Sequence, residues 1–148
     1  MALTLYSWML LAVPVPAAVW TPPPKGAIQL RHGAFVSSLA FTRDGKTLIS
    51  GSGDRLVRLW DPATGKERRR LQGHTAAVLS LALAPDGQRL ASGSADGTVR
   101  FWDLAGAGKE LRVIQGHRRD VSSLSFSPDG TQFASADANR ALVTISFL

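Results

Sequence analysis

The sequence predicts an all-β protein made of about three small four-stranded antiparallel sheets, and three observations lead there. The chain repeats itself: shifted by 42 positions, residues 32–61 fall on 74–103 with 17 identities in 30, against roughly two expected by chance at average composition. A shift of 43 lays residues 74–103 over 117–146 with ten identities, and a period of this length marks a repeat architecture. Inside each unit, short apolar runs end at turn residues such as Pro85-Asp86-Gly87 and Asp96-Gly97. That is the punctuation of strands and hairpins, with no helical periodicity between them.

The N-terminal stretch stands apart. Residues 1–24 carry no charged side chain and 16 of them are hydrophobic, so the 17 Lys and Arg and the 11 Asp and Glu all follow Pro24. The apolar stretch 3–13 has the length of a signal-peptide core and falls short of the roughly 20 apolar residues of a membrane-spanning helix. Pro14 and Pro16 end any helix there. Val15-Pro16-Ala17-Ala18 resembles a small-residue cleavage region, although no Lys or Arg precedes the apolar stretch. Two readings stay open. Residues 1–18 act as a signal peptide on an exported or periplasmic protein, or they form a retained leader, closed by the stiff Pro-rich stretch 21–24, on a cytoplasmic one. Either way residues 1–25 fall outside the fold, no stable membrane span is expected, and 26–148 form the repeat domain.

Its units run about 31–72, 73–115 and 116–148. In the second, strands are expected at 78–83, 89–94, 98–102 and 110–115. Asp96-Gly97 joins the middle pair because Gly accepts positive φ and Asp hydrogen-bonds its own turn. A single sheet of this kind leaves both faces uncovered, so each unit needs neighbours. The third unit is degenerate. It matches the second ten times in its first 22 positions and nowhere in the last eight, where Asn139, Ile145 and Ser146 stand for Asp96, Trp102 and Asp103. So abrupt a loss reads as a truncated or frame-shifted piece of a longer gene.

Gly73-His74, Leu90-Ala91-Ser92-Gly93-Ser94, Ser127-Pro128-Asp129-Gly130 and the Trp60-Asp61 and Trp102-Asp103 pairs occur in order at the repeat period. They resemble the signature of the WD40 repeat family over about residues 27–148. The resemblance implies β-propeller blades, each with strands a, b and c after the Gly-His and an outer strand d. Residues 27–31 would be a strand d ahead of the first blade. It also implies a hydrogen-bonded tetrad in each blade, from the His of Gly-His, a Ser of strand b, the Asp of the b–c turn and the Trp of strand c. These are His74, Ser92, Asp96 and Trp102 in the second unit and His32, Ser50, Asp54 and Trp60 in the first. The third keeps only His117 and Ser135. The chemistry is coherent: the indole N–H donates to Ser, Ser donates to one ring nitrogen of His, and the other ring N–H donates to the carboxylate. A buried network of this kind matters as a set.

Ser, His and Asp together also fit a hydrolase, but the trio recurs in successive units, which one active site would not do. No G-x-S-x-G elbow is present. All three histidines occupy the same repeat position, which leaves none for a separate base or metal cluster, and the absence of Cys removes thiol nucleophiles and zinc-thiolate sites. No catalytic, cofactor or metal residue is assigned. Gly106-Ala107-Gly108-Lys109 lacks the strand-loop-helix setting of a phosphate loop and reads as a c–d turn. Arg68-Arg69-Arg70 falls on an outer strand, where charge discourages edge pairing.

What remains is a non-enzymatic scaffold that binds proteins or peptides through loops on its top face, the function the resemblance implies. Candidate partner contacts are Phe35, which replaces the Ala77 and Asp120 of the other units, together with Arg55, Arg118 and Arg119. A net charge of +6 keeps a nucleic-acid surface as the alternative. A non-functional truncated fragment is another. Propellers typically have about 4–8 blades, and seven would need about 300 residues at the WD40 period. Three units leave two open faces, so the expectation is aggregation or ring closure by self-assembly, for instance two chains making six blades.

Overall fold

The computed structural model describes residues 26–118 and 120–138 in full and 142–147 as backbone. The leader, Arg119, Asn139 and Ala141 lie outside the described residues. Among the described residues eleven strands form three antiparallel sheets in chain order. The first is β1 (Val36–Phe41), β2 (Leu48–Ser52), β3 (Val57–Trp60) and β4 (Glu67–Leu71). The second is β5 (Val78–Leu83), β6 (Arg89–Ser94), β7 (Thr98–Asp103) and β8 (Glu110–Gln115). The third holds β9 (Val121–Phe126), β10 (Gln132–Asp137) and β11 (Leu142–Phe147). Each sheet is a meander, with every strand hydrogen-bonded to the one before it. Among the described residues there is no helix, and so none long and apolar enough to cross a membrane.

Three equivalent turns set the a–b hairpins. The N–H groups of Gly45, Gly87 and Gly130 bond back to the carbonyls of Thr42, Ala84 and Ser127, with each glycine at a φ of 68° to 70°. The Asp before each glycine folds its carboxylate over the turn; Asp129 accepts from the Ser127 hydroxyl at 2.6 Å and the Thr131 N–H at 3.0 Å. These bonds hold the Asp129 carboxyl well below the usual range, at about 2.

Sheet-to-sheet packing supplies the core. Ile49, Val57, Leu59 and Leu71 of the first sheet meet Val78, Leu90 and Trp102 of the second. On the far side of the second sheet, Ala91, Val99 and Phe101 meet Val121 and Phe133 of the third, with Phe101 edge-on to Phe133 at 4.9 Å. Approach is close enough to demand glycine at equivalent places. A Cβ on Gly51 would lie 2.8 Å from Val78 Cγ1, and one on Gly93 2.7 Å from Val121 Cγ1.

Two expectations change. Residues 27–31 form no strand, because among the described residues there is no earlier strand c for their backbone to pair with. Instead Ile28 lies against Gly65, and with Leu30, Phe41, Leu48 and Pro62 it lines a pocket of about 270 Å³. In the third sheet, β11 sits one residue out of the register that the repeat offset implies. Leu90 pairs with Trp102 and Ala91 with Phe101 in the second sheet, whereas Phe133 pairs with Ser146 and Ala134 with Ile145 in the third. Ser146, rather than Ile145, therefore takes the place of Trp102, and Ile145 takes that of Phe101. Four residues separate β10 from β11, whereas three separate β6 from β7.

The b–c turns of the first two sheets each hold one residue in a left-handed conformation. Gly97 has φ of 77° and its counterpart Arg55 has φ of 74°, the only positive φ among the described non-glycine residues. An L-residue pays about 1–2 kcal/mol for this conformation. Arg55→Gly is expected to raise unfolding stability by about 0.5–1 kcal/mol, part of the relief being offset by a more flexible unfolded chain. Urea unfolding of the two proteins measures it, and an unchanged midpoint would show that the Arg55 backbone is not strained.

Candidate functional site

The repeated polar residues converge at one end of each sheet, where the loop ahead of strand a folds over the b–c turn. In the second blade four side chains form a continuous chain of hydrogen bonds. Trp102 Nε1 donates to Ser92 Oγ at 2.8 Å, Ser92 Oγ lies 2.8 Å from His74 Nε2, and His74 Nδ1 lies 3.0 Å from Asp96 Oδ2. An ionised carboxylate only accepts, so Nδ1 carries the proton and Nε2 takes the Ser92 hydroxyl hydrogen. Strand positions do the placing. Ser92 on β6 lies opposite Arg100 and Trp102 opposite Leu90, while the Asp96 turn is drawn to the His loop by the Thr75 N–H at 2.9 Å.

The first blade is built differently. His32 Nε2 and Trp60 Nε1 meet Ser50 Oγ at 2.7 and 2.8 Å, but the carboxylate of Asp54 goes elsewhere. It is paired with Arg58 at 2.7 Å and accepts the Gly33 N–H at 3.1 Å, while His32 bonds to the backbone of Leu30. The four-residue chain expected of His32, Ser50, Asp54 and Trp60 is therefore a three-residue chain beside an ion pair. A guanidinium four residues along, itself only 8% exposed, offers the carboxylate two donors and a full charge, more than a neutral imidazole can. In the second blade the matching Arg100 pairs with Glu110 instead, and the Thr98 hydroxyl, where the first blade has Leu56, binds Asp96 at 2.6 Å. In the third blade His117 Nε2 meets Ser135 Oγ at 2.7 Å, and the buried His117 Nδ1 has no hydrogen-bond partner among the described residues. Asn139, which stands at the Asp96 position, lies outside them.

Electrostatics follow from these contacts. Burial raises the Asp96 carboxyl, but bonds from the Thr98 hydroxyl, the Thr75 N–H and His74 outweigh it and hold the pKa at about 2. Asp54 also ends at about 2, burial being overcome by Arg58 and the Gly33 N–H. Burial lowers the His74 pKa and prevails over the opposing pull of Asp96, so the ring is neutral near pH 7.

Ser92, His74 and Asp96 have the connectivity of a hydrolytic triad, yet Ser92 is 0% exposed and its Oγ is occupied by the Trp102 indole. No substrate carbonyl can approach it. Among the described residues no three His, Asp or Glu side chains gather as a metal site. Of the candidate partner contacts, Phe35 is 62% exposed and Arg55 and Arg118 are exposed. Arg119 lies outside the described residues. Phe35 lies over Gly53, which leaves no room for a Cβ, whereas the second blade has Ala77 and Ala95 at these two places. Arg55 borders a groove of about 310 Å³ with Asp54, Leu56, Gln72, Gly73 and His74, between the first and second blades. The parts that sequence reasoning missed are Thr98, Arg58 and the Glu67 and Glu110 partners. The signal was an arginine kept between apolar residues of strand c in two units.

The WD40 family model, described as WD domain, G-beta repeat, matches residues 27–61, 65–103 and 108–143. The chain belongs to the WD40 family. The second and third matched units each take in the outer strand of one sheet and reach strand c of the next, so they straddle two sheets, whereas in the first residues 27–31 hold the place of an outer strand without forming one. A segment is 46% identical over 56 residues to the transcriptional repressor rco-1 of Neurospora crassa, covering 35% of this chain and 9% of that protein. Another is 51% identical over 43 residues to mitochondrial division protein 1 of Mycosarcoma maydis, covering 29% and 5%. A third is 40% identical over 43 residues to dynein assembly factor with WD repeat domains 1 of Xenopus laevis, covering 29% and 10%. The crystal structure of RRP9 WD40 repeats is similar at a TM-score of 0.74 and 26% identity, over 80% of this chain and 37% of that one. The chain thus spans a small part of these proteins. Its architecture is that of WD40 blades, a fold that in general serves as a non-enzymatic scaffold.

Trp102→Phe is expected to destabilise the protein by about 1–3 kcal/mol, since it leaves the buried Ser92–His74 pair without its donor. Arg118→Ala should leave stability nearly unchanged, and denaturant unfolding that gave equal effects would contradict this division of core from surface.

Acid should weaken the fold in two stages. The depressed His74 pKa means that stability is full above the unfolded value of about 6.5 and declines as pH falls through it. The depressed Asp96 and Asp54 values mean that a second loss runs from about pH 4 down toward 2. Melting temperatures measured from pH 8 to 2 should show both, and Asp96→Asn should shrink the second without abolishing it.

Proposed function

We propose that this chain is a protein-interaction scaffold whose partner, a protein or peptide, is bound by the loops at the His end of the blades. One contrast carries the reading. The His, Ser and Trp residues that recur from blade to blade are buried or half-buried and bonded to one another, while those that differ on the same edge are exposed: Phe35, Arg55 and Arg118. Phe35 offers a large rigid surface of the kind that anchors interfaces, and Arg55 holds a left-handed conformation beside the groove near His74. Strain of that sort is commonly retained where a side chain is used. The His74, Ser92, Asp96 and Trp102 set, with Ser50, Trp60, His32, His117 and Ser135, is read as the frame that holds these loops. Self-association belongs to the same proposal, because a blade leaves an apolar face bare unless another covers it.

Five of the 17 Lys and Arg side chains, Arg58, Arg68, Arg70, Arg89 and Arg100, each pair with a carboxylate, which takes part of the basic charge away from a polyanion and leans the reading toward a protein or peptide. Screening the full chain against a displayed peptide library and then against single-stranded and duplex DNA tests this. Peptide binders that weaken at least about tenfold with Phe35→Ala, a typical anchor loss, at an unchanged melting temperature support the reading. Binding only to DNA, with steep salt dependence, would replace it.

A further inference from the structure

Among the described residues, five of the six exposed large hydrophobic side chains belong to the first blade and the segment before it: Ile28, Phe35, Val36, Leu39 and Phe41. Phe35 sits on the loop edge; the others lie elsewhere. Repeat equivalence shows what their surface is. Val36, Leu39, Phe41 and Leu48 correspond to Val78, Leu81, Leu83 and Leu90, which are the residues of the second blade that the first blade covers. Val78 and Leu90 are fully buried there, whereas Val36 is 42%, Leu39 61% and Phe41 58% exposed. Among the described residues only the entering segment reaches it, with Ile28 and Leu30 beside Phe41 and Leu48, so the face is a blade-receiving surface that no blade covers.

The opposite end of the array carries the complementary half. A strand-a serine bridges each existing junction: Ser38 Oγ accepts the Leu81 N–H at 3.2 Å, and Ser80 Oγ donates to the Val121 carbonyl at 3.1 Å. The third serine of the series, Ser123, is exposed. Beside it Ala134 occupies the position of Ala91, and the β11 register puts Val143 and Ile145 at the positions of Val99 and Phe101, the residues through which the second blade meets the third. One departure is present. Ala136 stands at the position of Gly51 and Gly93, whose missing Cβ admits the valine of the next blade. At the equivalent Gly93 an added Cβ would lie 2.6 Å from Ser80 Oγ, 2.7 Å from Val121 Cγ1 and 3.0 Å from Val121 Cβ, so Ala136 loosens such a junction by making the facing valine and serine shift.

We propose that the bare face of the first blade receives the third blade of a second copy of this chain, in a head-to-tail contact that repeats the junctions inside each copy. The proposal rests on the self-association reading above and names the two surfaces that meet. Such a contact is heterologous, and it closes into a ring or continues according to the rotation per copy.

The test uses the full 148-residue chain, with native mass spectrometry and sedimentation velocity across a concentration series. Leu39→Arg blocks the receiving face and Ser123→Arg the donating one; both sites are exposed, so each variant should keep the parent's circular dichroism. If Leu39→Arg fails to fold, Leu39→Ser serves in its place. The parent should run as two or more copies, each variant alone as one copy, and an equal mixture of the two variants as a one-to-one dimer, since it still offers one intact pair of faces. Ala136→Gly should tighten assembly about tenfold by removing the obstruction. A parent that stays a single copy, as it would if residues 1–25 covered the face, overturns the self-association reading itself. Assembly that persists in Ser123→Arg alone, or a mixture that stays monomeric, overturns the head-to-tail contact while leaving self-association standing.

Discussion

The indole of Trp102 joins two kinds of cohesion at one residue. Its N–H begins the hydrogen-bond chain through Ser92 and His74 to Asp96, which ties strand c to strand b and both to the loop that enters the blade. Its ring, 2% exposed, is packed with Ile49, Leu59 and Leu90 in the junction between the first and second blades. The polar chain lies in a low-dielectric interior because of that packing, and this strengthens each bond and makes each unpaired group costly. Sheet, loop and junction therefore depend on one another through this side chain, and the exposed edge residues inherit their positions from it.

The three blades solve the same problem with different partners. In the second, the carboxylate is held by neutral donors and the imidazole. In the first, Arg58 captures it, and His32 turns to the backbone of Leu30. In the third, the His117–Ser135 bond persists, while the strand that would bring the tryptophan is shifted by one residue. A repeat thus conserves the geometry of a blade more strictly than the identity of the bonds inside it. The cause is that the antiparallel ladder and the glycine approaches at Gly51 and Gly93 constrain the backbone, whereas a carboxylate accepts whichever donor is nearest and most strongly charged.

Much of this was legible in the chain itself. Period, strand limits such as Val78–Leu83 and Glu110–Gln115, and the turns at Gly87 and Gly130 follow from local chemistry: alternating apolar residues, an Asp that caps its own turn, a glycine at positive φ. The family resemblance, rather than any local pattern, pointed to Ser50 and Ser92 as members of a buried network, and both are fully buried.

Other features depended on residues far apart in the chain meeting in space. The choice of Asp54 between His32 and Arg58 is a competition among side chains whose distances only the folded turn sets. The one-residue slip of β11 comes from the ladder with β10, which counts backbone pairs and ignores sequence offset. That residues 27–31 form no strand follows from the lack of a pairing strand among the described residues, since a strand is made by its neighbour as much as by its own side chains. The repeated all-β unit and its turns were set by the chain alone, because these are local. Which groups bond, and which apolar faces the described blades leave uncovered, belonged to the tertiary structure, because both depend on what stands across a junction.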